Sequence, residues 1–270
     1  MADAERQNAG LMIGAIAGDV VGSPYEHYPH KSVDFPLLQQ ESRFTDDTVL
    51  TIAMARAILS GEPYGRAYLE LGRRYPSAGY GKQFREWLAF DEPRPYGSFG
   101  NGSAMRVSPV GLAFDTVERV LAEAEKSAAV THDHIEGIRG AQAVALAVFR
   151  ARHGTPKAAI RSELETRFGY DLSRTIDGIR PAYTFDPSCQ GTVPQALVAF
   201  LEAASTEHAI RVAVSLGGDA DTLAAIAGSV AEPFHRDLPD HVVASVRLLL
   251  PAEFLEVIDA FGRAYPAPKV

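Results

Sequence analysis

Apolar residues recur at the three- and four-residue spacing of one helix face over residues 49–59, 117–130, 138–151, 193–203, 223–231 and 242–250. Strand-like alternation is nearly absent. The stretch 11–21 is apolar but interrupted by Asp19 and too short to span a bilayer, so a buried helix is expected there. Gly and Pro clusters at 61–65, 93–97, 154–156, 186–194 and 232–239 punctuate the helices. With alanine-rich faces suited to close packing, the pattern predicts an all-α fold, a compact orthogonal bundle. No flexible linker, low-complexity tract or fixed-period repeat marks a boundary, so a single domain over 1–270 is expected.

Composition narrows the function. A chain of 270 residues with 46% hydrophobic content buries a substantial core. Its net charge of −8 offers no basic footprint for nucleic acid or an anionic membrane, although the average leaves a local patch, and a nucleic-acid carrier, open. Cys189 is the lone cysteine, which excludes an internal disulfide framework and a cysteine-based zinc site and fits a reducing cytoplasm. The first ten residues are polar and lack a cationic leader, so no membrane partner is expected.

Candidate chemistry concentrates in two acidic clusters. Thr45-Asp46-Asp47-Thr48 and Gly217-Gly218-Asp219-Ala220-Asp221-Thr222 each set two aspartates and a threonine at the start of an apolar helix. A threonine cap and acids at the positive end of the helix dipole explain one such cluster, at about 0.3–1 kcal/mol per charge. They do not explain a second that follows two glycines, residues used where backbone approaches something closely. Hard oxygen donors suit Mg²⁺, and a cation is the physical reason four carboxylates can coexist.

Four further features each carry two readings or fewer when taken alone. Glu26 follows the turn after Asp19, and a buried Asp19 is expected to hydrogen-bond a neighbouring loop. The loop Pro95–Arg106 carries three glycines and a helix start near Ser103, an arrangement suited to a diphosphate, with Arg106 adding charge. It lacks the Gly-Lys-Ser/Thr ending of a P-loop. His132 and His134, two apart, do not align as ligands on a helix and have no nucleophile to serve, so capping or core hydrogen bonding is expected. Ser188–Pro194 reads as a cap feeding a helix.

Taken in order, G-D-V-V-G-S-P-Y-E, F-T-D-D-T, F-G-N-G-S-A-M-R-V-S-P-V-G, T-H-D-H and G-G-D-A-D-T resemble the ADP-ribosylglycohydrolase family over nearly the whole chain. The resemblance implies a compact all-α fold with two Mg²⁺ or Mn²⁺ ions in a cleft, removing ADP-ribose from a modified acceptor. It implies a metal site of Thr45, Asp46, Asp47, Asp219, Asp221 and Thr222. It also implies a diphosphate and ribose cradle of Ser98, Phe99, Gly100, Asn101, Gly102, Ser103, Met105 and Arg106, with His132 on the same side. Glu26 is similar to the gating glutamate of the serine-directed branch; it is the leading candidate to orient or deprotonate water, with Asp47 and Asp219 beside it as catalytic candidates. The residues after His132 depart from the animal serine-directed pattern, which leaves the acceptor open. A monomer is expected. The rival readings are a non-catalytic family member and a Mg²⁺-dependent isoprenoid diphosphate enzyme; the latter needs an Asp-Asp-x-x-Asp array within a helix, not acids at helix starts.

Overall fold

The computed structural model describes residues 10–268; the polar segment 1–9, read above for a leader, lies outside them. The described chain is helical, and its one ladder-like pairing is an isolated antiparallel bridge between Gly100 and Ser188. The buried helix expected at 11–21 is α1, Ile13–Gly22, every residue of it buried. The 49–59 pattern is α2, Asp46–Ser60, capped by Thr45 and ended by left-handed Gly61.

Between these and the later predicted helices lie several that the sequence reading did not single out. Tyr64–Arg74 (α3) buries Tyr64, Ala67, Tyr68 and Leu71, a narrow stripe among charges, and Lys82–Leu88 (α4) is only seven residues long. The helix expected near Ser103 is a single turn, Gly102–Met105 (α5), followed by Ser108–Ala113 (α6). Val117–Ala128 (α7) and Ile135–Arg152 (α8) match the pattern, the latter beginning earlier because His134 caps it. Lys157–Phe168 (α9), unpredicted, buries only Ile160, Leu164 and Phe168.

The short turn Ile176–Ile179 (α10) precedes Cys189–Glu202 (α11), whose cap is Ser188 as expected. Thr206–Val214 (α12) was not singled out; Ala220–His235 (α13) and Asp240–Leu248 (α14) were, and Ala252–Ala264 (α15) closes the bundle.

The geometry of the site follows from one helix pair. α1 and α13 make the most extensive helix contact in the molecule. Gly14, Gly18 and Gly22 lie against Gly228, Ala224 and Ala220 in turn, so the helices run antiparallel. The backbones nearly touch: a Cβ placed on Gly18 would sit 2.1 Å from the carbonyl oxygen of Ala224. The consequence is positional, because the end of α1, with Glu26 just beyond it, is brought beside the start of α13.

Candidate active site

Asp19 ties the start of α2 to the same place. It is fully buried and accepts hydrogen bonds from Thr45 N at 2.9 Å, Thr45 Oγ1 at 2.7 Å, Thr48 N at 3.1 Å and the Thr48 hydroxyl. This is the loop-holding role expected of it, and it fixes both threonines of the first cluster. Thr45 Oγ1 also accepts from Asp47 N at 3.3 Å, so capping is part of the arrangement.

The second cluster behaves differently. Asp219 occupies the cap position of α13 but makes no side-chain cap bond. Its Oδ2 instead accepts from Asn101 Nδ2 at 2.7 Å, and Thr222 Oγ1 donates to Asp47 Oδ1 at 3.3 Å, joining the two clusters. The glycine pair before it is packed closely against the protein's own chain. Gly218 adopts φ 103°, and a Cβ there would sit 3.0 Å from Thr184 O and the Tyr183 ring. The close approach is therefore to the loop before α11.

These groups line one cleft of about 530 Å³, which takes in Glu26, Asp46, Asp47, Asp219, Asp221 and Thr222. From the glycine-rich loop Ser98, Phe99, Gly100, Asn101, Gly102, Met105 and Arg106 reach it, and His132 joins them. Thr45 and Ser103 do not line it: Thr45 is turned to Asp19, and Ser103 Oγ donates to Gly137 O at 2.7 Å beside Cys189. Cys189 is buried and serves packing, its thiol donating to Gly100 O.

The loop is less of an anion cradle than its glycines promised. The N–H groups of Tyr96 and Ser98 go to Thr131 O, Gly97 to Asp133, Gly100 to Ser98 Oγ and Asn101 to Pro187 O. Arg106 is fully buried, stacked 4.3 Å from the Tyr68 ring centroid. Its positive charge is buried at the cleft's lining and closed to solvent.

The electrostatics report crowded acids. Burial, then Asp19 and Asp219, push the Asp46 carboxyl up to about 8. Asp47 and Asp221 are raised well above the usual range, by burial first and then by neighbouring carboxylates, and Glu26 is raised by burial. His132 is held well below its ordinary value by burial and then by Arg106.

The donor set suits a hard cation: only oxygens, with Asp47 Oδ2 buried and without a hydrogen-bond partner. Among the described residues no three His, Cys, Asp or Glu side chains are drawn together tightly enough to hold an ion as they stand. The fit is thus one of chemistry and placement, not of a closed coordination shell.

Several cleft residues escaped the sequence reading. Gly79 comes from the α3–α4 connection, Lys82 and Phe84 from α4, and Phe185, Asp186 and Pro187 from the loop before α11. Phe99 and Phe185 stand at the cleft with 51% and 52% of their surface exposed. Lys31 was also missed: its Nζ donates to Arg180 O at 3.0 Å, Tyr183 O at 2.6 Å and Leu216 O, strapping the segment after Glu26 to the loop and turn that carry Phe185 and Asp219. No local pattern marks such residues, because their partners lie far along the chain.

The comparisons agree with this architecture. A sequence model of the ADP-ribosylglycohydrolase family matches residues 1–265, and the chain belongs to that family. ADP-ribosylhydrolase ARH3 of Mus musculus is 26% identical over a 308-position alignment covering 84% of this chain and 83% of the mouse protein. The Homo sapiens protein of the same name is 25% identical, covering 84% of each. A solved structure described as an ADP-ribosylglycohydrolase-related protein complex superposes with a TM-score of 0.73 at 25% identity, over 97% of this chain and 98% of that one. Among the described residues no helix is long and apolar enough to cross a membrane.

Proposed function

We propose that this chain is a divalent-metal-dependent hydrolase that cleaves the N- or O-glycosidic bond between ADP-ribose and an acceptor, releasing ADP-ribose. The observation that carries the reading is the convergence of Asp46, Asp47, Asp219, Asp221 and Glu26 in one cleft of about 530 Å³ in a chain of this family. Asp46, Asp47, Asp219, Asp221 and Thr222, with Thr45 behind them, would hold two Mg²⁺ or Mn²⁺ ions. When bound, such ions neutralise the carboxylates and supply Lewis-acid polarisation.

The chain's own groups fill the remaining roles. Glu26, its carboxyl raised by burial, is suited to hold or accept a proton from water near the anomeric carbon. Carboxylates around it stabilise the oxocarbenium-like charge that develops as the glycosidic bond breaks. Exposed Phe99 and Phe185 offer ring faces for a base to stack on. His132, Gly100, Asn101, Gly102 and Met105 line the same cleft as those rings and the acids. One chain supplies every one of these groups, which supports action as a monomer.

The test is a panel of ADP-ribosylated conjugates, on arginine, serine, other side chains, an acetyl ester and a nucleic-acid base. Each is incubated with Mg²⁺ or with chelator while free ADP-ribose is measured. Release from at least one conjugate, abolished by chelator, is expected. Binding of ADP-ribose without release from any of them would make this a non-catalytic member.

A further inference from the structure

Arg106 and His132 communicate through a single hydroxyl. Thr131 Oγ1 accepts from Arg106 Nη2 at 2.8 Å and lies 2.7 Å from His132 Nδ1. All three side chains are buried, His132 being the most exposed at 4%. The hub itself is fixed: Thr131 N donates to Ala128 O at 3.0 Å, and its carbonyl accepts from Tyr96 N and Ser98 N.

Donor and acceptor inventory then decides where the ring proton sits. A guanidinium only donates, so Arg106 occupies a lone pair of Thr131 Oγ1. The hydroxyl has one proton of its own, and Nδ1 is the ring atom beside it, at 2.7 Å. With the proton directed there, Nδ1 accepts and Nε2 carries the ring hydrogen. The other tautomer would aim two donors at Oγ1 and strand the hydroxyl proton in a buried place, a bias of about tenfold or more against it.

The geometry gives the remaining nitrogen somewhere to act. Nε2 faces the bend of the glycine-rich loop, where a Cβ would sit 3.6 Å away on Gly100 and 3.3 Å away on Gly102. The glycines leave room for the imidazole edge, which lines the cleft. Arg106 borders the cleft with a guanidinium closed to solvent: Nε and Nη1 are covered and have no hydrogen-bond partner. Its stacking on Tyr68 keeps the guanidinium in place.

We infer that Arg106 is a positioning residue: acting through Thr131, it holds His132 as the Nε2–H tautomer, so that the ring presents a neutral N–H donor to an acceptor oxygen of the ligand. Burial and the Arg106 charge, which hold the imidazole well below its ordinary value, agree with a neutral ring. The identity of the ligand as ADP-ribose rests on the function proposed above; the tautomer does not.

The experiment is a long-range ¹H–¹⁵N correlation on ligand-free protein with ¹⁵N-labelled histidine, His132 being assigned by its loss in His132→Gln, together with titration of free ADP-ribose. The wild type is expected to show the Nε2–H pattern. Thr131→Val, which removes the hydroxyl proton at nearly constant volume, is expected to populate the Nδ1–H form and to raise the Kd for ADP-ribose about tenfold. Thr131→Ser restores both, and Arg106→Met, which leaves the hydroxyl in place but free to turn, is expected to shift tautomer and Kd in the same direction by less. An Nδ1–H pattern in the wild type overturns the relay, as does a Thr131→Val protein with unchanged tautomer and unchanged Kd. A wild type with the Nε2–H pattern that fails to bind ADP-ribose leaves the relay standing and removes the proposed ligand.

Discussion

Thr222 Oγ1 donates to Asp47 Oδ1 at 3.3 Å across 175 positions of sequence. This contact is where two helix starts become one site. It joins a residue of the first turn of α13 to one of the first turn of α2, and both lie at the floor of the same cleft. Neither threonine nor aspartate needs the other for capping.

If these residues hold cations, Asp47→Asn and Asp221→Asn each lower metal-dependent release of ADP-ribose by about a hundredfold or more, as expected when a charged ligand to a catalytic ion is lost. Circular dichroism should stay helical, since the neutral amides remove repulsion from a crowded site. Either variant retaining full turnover in the presence of chelator would end the metal assignment.

The Asp46 carboxyl, moved from 3.8 to about 8 by burial and then by Asp19 and Asp219, sets a pH dependence for the ion-free protein. Between those two values the folded chain keeps a proton that the unfolded chain has released, so stability is full below the lower value and falls as pH rises through the upper one. The melting temperature in chelator is therefore expected to drop between about pH 5 and about pH 8, and Mg²⁺ to restore most of the loss at the upper end by taking the proton's place. A melting temperature indifferent to both pH and Mg²⁺ contradicts this.

Glu26 sits at the cleft on the turn after α1 rather than within either aspartate cluster. Glu26→Gln keeps shape and loses the proton acceptor, so kcat is expected to fall about a hundredfold or more while the Kd for free ADP-ribose changes little. Single-turnover kinetics beside equilibrium titration separates the two, and an unchanged kcat removes Glu26 from the chemistry.

Gly18→Ala tests the helix pair that positions the site. Its methyl would lie 2.1 Å from Ala224 O, a contact with backbone that a rotamer change cannot relieve. A loss of about 3 kcal/mol or more is expected in urea unfolding. Gly81→Ala, where a Cβ meets nothing within 4 Å, serves as the control and should stay within about 0.5 kcal/mol.

Lys31→Met removes the ammonium shared by the carbonyls of Arg180, Tyr183 and Leu216. The segment after Glu26 should then open more often, and limited proteolysis within 27–44 is expected to quicken about tenfold. Equal cleavage rates in the two proteins would show that the strap does not govern this opening.

Local chemistry made part of this protein legible in one dimension. Helices with a broad apolar face, such as α2, α8 and α13, announce themselves because periodicity is a property of neighbours in sequence. The narrow stripes of α3 and α9 do not. The paired Asp–Thr clusters were visible for the same reason, as was the unusual burial to be expected of Asp19.

Only the tertiary structure decided how those pieces are used. The antiparallel glycine–alanine contact of α1 with α13 sets Glu26 beside Asp219, and Asn101, by its bond to that aspartate, becomes part of the acid site instead of an anion cradle. Arg106, read from sequence as adding charge for a diphosphate, is buried against Tyr68 and speaks to the cleft through Thr131. Sequence spacing fixes which side chains a helix turn can present. Which distant groups they meet depends on backbone approach and burial, and these exist only once the helices have packed.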